Sequence, residues 1–156
     1  MKKTKQAQKV AVVGIGNLLL KDEGIGIHVV EILKKANLSK EVELIDGATL
    51  GLDLLYLMEG KDKVIIVDAI DANAKPGTIF KFSPQDIKDK KKTKLSLHQV
   101  GLLEVLELNE VRSERTPEIV VFGIQPQEID WGMEPTPLIQ KKIPKLVDLV
   151  IEELNG

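Results

Sequence analysis

Short runs of β-branched residues alternate with segments of helical period along this chain. Residues 9–14 predict a strand apolar on both faces, and 25 to about 36 a helix with Ile25, Val29, Ile32 and Leu33 along one side. Residues 41–45 predict a second strand, and 50 to about 59 a second helix through Leu52, Leu55 and Met58. The most apolar run, 64–67, reads as the central strand. Pro76-Gly77 then signals a turn, and residues 78–82 form a short strand after too few residues for a helical crossover. Parallel neighbours need a longer connection, so this strand is expected to be antiparallel and near an edge. Ser96 caps a predicted helix reaching about residue 108, and residues 118–123 predict the last strand. Pro135-Thr136-Pro137 opens a closing helix to about 154, with a kink expected at Pro144.

The succession βαβαβ, then β, α, β and α, describes an α/β fold. It is a single domain, a three-layer α/β/α sandwich on a mostly parallel five-stranded sheet, with the strand at about 78–82 antiparallel. Such sheets bind ligands outside the carboxyl ends of their strands. Glu23 follows the first strand, Asp68 ends the third, and His98 opens a helix expected to start on that same rim. Two carboxylates and an imidazole make a donor set for zinc, nickel, manganese or iron, with selectivity left to geometry. The positive helix end near His98 favours the neutral ring that a metal needs. Asp46 ends the second strand on the same rim, to support a ligand, move a proton or merely shape a turn. Each of these residues also has an ordinary reading, as a turn acid or an exposed helix-start histidine.

Composition narrows the chemistry. A net charge of −2 argues against nucleic acid or an anionic membrane as partner, since both require a basic face. The absence of cysteine removes disulfides, thiolate metal sites and a cysteine nucleophile, and fits a cytoplasmic protein. The lysine-rich start and the apolar run after Val10 imitate a secretion signal. However, Gly and Asn interrupt that run, and Lys21-Asp22-Glu23 follows it. No apolar stretch is long enough for a membrane span. Gly14-x-Gly16 after a strand invites a dinucleotide reading. Leu19 stands where the third small residue belongs, and Asp22 and Glu23 would repel a pyrophosphate. No serine lies in Gly-x-Ser-x-Gly, and His-Glu-x-x-His is absent. His28 reads as a packing or surface residue. Trp131, the single tryptophan, reads as the flank of a peptide groove or as packing for the closing helix.

The run Gly14-Ile15-Gly16-Asn17-Leu18-Leu19-Leu20-Lys21-Asp22-Glu23-Gly24-Ile25-Gly26 resembles the opening signature of the nickel-iron hydrogenase maturation endopeptidases. The resemblance continues through Asp46-Gly47-Ala48-Thr49, Val67-Asp68-Ala69-Ile70, Pro76-Gly77-Thr78 and Ser96-Leu97-His98-Gln99. It ends in Gly123-Ile124-Gln125-Pro126 and Pro135-Thr136-Pro137. It implies a five-stranded α/β/α fold and a cytoplasmic, monomeric endopeptidase of aspartyl type. Such an enzyme removes a C-terminal extension from the hydrogenase large-subunit precursor once nickel has been inserted. The resemblance makes Glu23, Asp68 and His98 the metal-contacting residues, with the precursor's nickel as the metal, and Asp46 the family's further acid. Two other readings remain open: a peptidase of this scaffold with another protein substrate, and a non-catalytic metal- or peptide-binding module.

Overall fold

The computed structural model describes residues 8–48, 53–89, 104, 107, 108, 111 and 117–156. Its strands are β1 (Val10–Ile15), β2 (Val42–Ala48), β3 (Lys63–Ala69), β4 (Ile79–Phe82) and β5 (Glu118–Ile124). A 3-10 turn (Lys21–Gly24) runs directly into α1 (Ile25–Lys34), and α2 (Asp53–Met58), α3 (Pro84–Asp89) and α4 (Pro137–Asn155) follow. The described strands form one sheet in the order β2-β1-β3-β5-β4. Every pairing is parallel except that of β4 with β5, so the edge strand expected to run antiparallel does so.

Strict alternation divides the core between the two faces of the sheet. Val10 and Val12 of β1, Ile65 and Val67 of β3, and Val120 and Phe122 of β5 pack with Val29 and Leu33 of α1 and Leu146 and Val150 of α4. The intervening Ala11, Val13, Val64, Ile66, Ile119 and Val121 pack on the other side with Leu54 and Met58 of α2. A strand buried on both faces must be apolar along its packed length, which is why β1 and residues 64–67 of β3 are unbroken apolar runs, with Lys63 and Asp68 at the two ends of β3.

The helices lie on opposite faces because the chain reverses its direction of winding. β1 crosses through α1 to β2 on one side, and α2 then carries the chain back to β3 on the other side of β1. The gap between β1 and β3 is therefore the topological switch point, where open α/β sheets form their binding crevice.

Two elements differ from the sequence pattern. β2 continues through Asp46 and Gly47 to Ala48, so Asp46 sits inside a strand rather than in the turn after one. The short helix α3 has no counterpart in the hydrophobic pattern. It is capped reciprocally, the Ser83 hydroxyl accepting from the Asp86 N–H at 3.4 Å and Asp86 Oδ2 from the Ser83 N–H at 2.9 Å. α4 spans Pro137 to Asn155 through Pro144, the extent expected of the closing helix. The helix predicted from Ser96 lies mostly outside the described residues, although Glu104, Glu107, Leu108 and Val111 are helical. No helix among the described residues is long and apolar enough to cross a membrane.

Candidate active site

Glycine brings the opening segment close enough to the sheet to form a site. A Cβ on Gly14 of β1 would stand 2.2 Å from the Gly26 carbonyl oxygen, and one on Gly26 would stand 2.2 Å from the Val67 carbonyl oxygen of β3. Gly16, at φ +141, leaves room for the Glu23 carbonyl, which would lie 1.8 Å from a Cβ there. The start of α1 is thus pressed onto the carboxyl ends of both strands, and the 3-10 turn carrying Glu23 lies against β3. The glycine signature serves this close approach rather than a phosphate.

The two adjacent acids of that turn have opposite environments. Asp22 is fully buried, and its carboxylate binds the loop after β5. Oδ2 accepts the N–H groups of Gln127 and Glu128 at 2.8 and 2.9 Å, and Oδ1 accepts the Thr136 N–H at 2.7 Å. The Thr136 hydroxyl lies 3.0 Å from both oxygens. A buried carboxylate is tolerable when hydrogen bonds replace its hydration in this way. Glu23, the next residue, is half-buried at the rim. A second clasp arranges the loop after β3. The Gln125 side-chain oxygen accepts the N–H groups of Ala72 and Ala74 at 2.8 and 3.1 Å, and its amide donates to Asp71 at 3.1 Å. That bond, together with the Asn73 N–H, holds the Asp71 carboxyl below its ordinary range.

Glu23 and Asp68 therefore flank the switch point, one after β1 and one near the end of β3, with Asp68 1% exposed. Asp46 is exposed and pairs in register with Gly14, which pairs in turn with Val67. Two strand spacings, about 10 Å, thus separate the Asp46 backbone from β3. Alternation places Asp46 on the face of Leu44 and α1, and Asp68 on the face of Ile66 and α2. His98 lies outside the described residues. Among those described, no three His, Asp or Glu side chains are grouped to hold a metal ion.

The comparison that decides the family is a match of residues 27–153 to the hydrogenase maturation protease model. The chain belongs to that family. It is 35% identical over 153 residues to the hydrogenase expression/formation protein HupD of Rhizobium leguminosarum bv. viciae, covering 96% of this chain and 76% of the relative. The hydrogenase 2 maturation protease of Escherichia coli is 32% identical over 149 residues, covering 94% and 91%. Among solved structures, the hydrogenase maturating endopeptidase HybD from E. coli superposes with a TM-score of 0.86 at 32% identity, covering 94% and 92% of the two chains. The [NiFe] hydrogenase maturation protease HybD from Thermococcus kodakarensis gives 0.80 at 30% identity, covering 94% and 99%.

In this maturation protease the sequence pattern identified the rim but not its fastenings. Asp22 and Gln125 have no local spacing that announces them, since their partners lie 105 to 114 and 51 to 54 residues away. Trp131 is exposed, so it does not pack the closing helix. His28, on the first turn of α1, is partly buried, and burial lowers its pKa.

Proposed function

We propose that this family member removes the C-terminal extension of a nickel-iron hydrogenase large-subunit precursor after nickel insertion, with Glu23, Asp68 and His98 contacting the precursor's nickel. The observation that carries the reading is the pair of acids at the switch point, Glu23 half-buried and Asp68 almost wholly buried. Carboxylate oxygens and a neutral imidazole suit a borderline divalent ion, and three protein donors leave positions for the ligands the precursor already supplies. Nickel held there supplies Lewis acidity to the neighbouring peptide carbonyl or to a water. The chain itself orients the precursor. Glu23 and Asp68 fix the metal relative to the rim, and Asp46, exposed on β2 beside β1, would take up the proton released by the attacking water through intervening solvent. Gating by metallation follows, since a precursor without nickel offers these ligands nothing to hold.

The test compares nickel-loaded with nickel-free precursor, following the large subunit by intact-mass spectrometry. Only the loaded form should be shortened, and Glu23→Ala, Asp68→Ala and His98→Ala should each slow cleavage at least about a hundredfold. Equal cleavage of both precursors overturns the gating, and normal cleavage by the three variants overturns the site.

A further inference from the structure

Beside the acids lies a surface that the proposed chemistry does not use. Leu19, Ile129, Trp131 and Met133 are 49%, 51%, 76% and 67% exposed. They lie on two segments that are joined by backbone pairing. The Gly132 N–H donates to the Leu19 carbonyl at 2.9 Å, and the Lys21 N–H to the Gly132 carbonyl at 2.9 Å. The Lys21 stem closes over the joint, with its Cγ 3.0 Å from where a Gly132 Cβ would stand. Asp22 fastens the same two segments from beneath. These apolar groups are held out into solvent by an ordered frame, and clustered exposure of this kind marks an interaction surface.

The frame also supplies a charge pattern. Glu128, Asp130 and Glu134 are exposed along the strip. Lys21 is the cation among them, paired to Glu128 at 2.8 Å. An apolar strip with surplus negative charge fits a segment that carries both apolar and basic side chains.

We propose that the strip docks an extended segment of the large-subunit precursor next to its cleavage point, apolar side chains lying against Trp131 and Met133 and a basic side chain against Asp130 and Glu134. The inference rests on the proposed function for the identity of the occupant. Its own support is continuity: the strip and Glu23 share one fastened unit, and Glu23 directly follows Asp22. Leu20, three residues before Glu23, is bridged to Gly132, which keeps the strip next to the turn that carries the acid. An exposed aromatic beside a reaction centre is the type of residue that dominates docking energy.

Trp131 is the chain's only tryptophan, so 5-fluorotryptophan labelling gives one 19F resonance reporting on the strip. Nickel-loaded precursor should shift that resonance. Trp131→Ala and Asp130→Lys should each raise KM for cleavage by about tenfold or more, with kcat within about twofold. Ile32→Ala, on the far half of α1, should change neither. Unchanged KM in both strip variants, or an unmoved resonance while the precursor is being shortened, overturns the docking. A resonance that moves with protein concentration alone assigns the strip to a second copy of this chain and likewise overturns it. A precursor that shifts the resonance but is never shortened leaves the docking standing and removes the proteolytic reading.

Discussion

Thr136 gives both its backbone N–H and its hydroxyl to the carboxylate of Asp22, joining points 114 residues apart in the chain. Thr136 immediately precedes α4, so the contact ties the entry of the last helix to the turn that carries Glu23. Two neighbouring acids thereby divide the work. Asp22 is saturated with donors and holds the rim together, whereas Glu23 is half-buried at the rim, where the proposed function has it meet the metal.

Asp22→Asn tests that division. The amide keeps the shape but presents an N–H where the wild type presents a second acceptor oxygen. Each buried donor left without an acceptor costs roughly 1–3 kcal/mol, so a loss of about 3 kcal/mol in urea unfolding is expected. Cleavage should fall by more than the unfolded fraction explains, because the turn under Glu23 loosens. Thr136→Ser keeps both donors and should stay close to wild type. Wild-type stability in Asp22→Asn would show that the clasp is dispensable.

The glycines make a comparative prediction. A methyl at Gly26 meets the Val67 and Ile15 carbonyl oxygens, rigid backbone atoms that cannot give way. A methyl at Gly60 meets nothing within 4 Å, and only the φ of +74 opposes it. Gly60→Ala should cost about 1 kcal/mol, as for other non-glycine residues in the left-handed region. Gly26→Ala should cost clearly more, about 3 kcal/mol, since α1 must lift from the sheet. Equal urea midpoints for the two variants would rule out close packing as the reason for Gly26.

What could be read from the chain beforehand follows from the range of the forces involved. The strands declare themselves locally, since burial on both faces makes Val64, Ile65, Ile66 and Val67 all apolar. The rim positions of Glu23 and Asp68 then follow from topology alone. Asp22 was hidden because its burial depends on Gln127, Glu128 and Thr136, far along the chain. Trp131 was ambiguous because one aromatic without periodic neighbours carries no directional information. α3 is different, for Ser83-Pro84-Gln85-Asp86 is a legible capping signal. Its span of 6 residues is too short to develop an apolar period, so the cap alone marks the helix.

At the opposite end of the sheet, acid stability should depend on one carboxylate. Lys63 opens β3 with 7% side-chain exposure and meets the Glu153 carboxylate at 2.7 Å, which also meets Lys81 at 2.9 Å. The bonds to Lys63, then Lys81, hold the Glu153 carboxyl below its ordinary value of 4.5. A folded value below the unfolded one gives stability that is present above about pH 4.5 and lost as pH falls through the folded value. Glu153→Gln should cost about 2 kcal/mol at pH 7, the scale of a hydrogen bond to a charged group. It should also flatten the decline between about pH 5 and 3. Urea titrations across that range check both effects, and an unchanged acid profile in Glu153→Gln would assign the decline to other groups.

His28 should impose a second dependence nearer neutrality. Its Nε2 is buried with no hydrogen-bond partner among the described residues, so a proton there has no acceptor. Burial is the dominant influence and lowers the pKa below 6.5, while the Met133 backbone and the Glu134 carboxylate pull it upward. With the folded value depressed, the unfolded chain takes up the proton first. Stability is then fully present above about pH 6.5 and declines as pH falls toward the folded value. His28→Gln removes the titrating ring without adding charge and should make stability flatter between pH 7.5 and about 5.5, a window above the Glu153 transition. The difference in slope between the two proteins isolates His28 from His98, which both retain. A wild-type slope that matches the variant's would mean that the cost of charging this ring is met by Glu134 and Met133, and that burial does not control it.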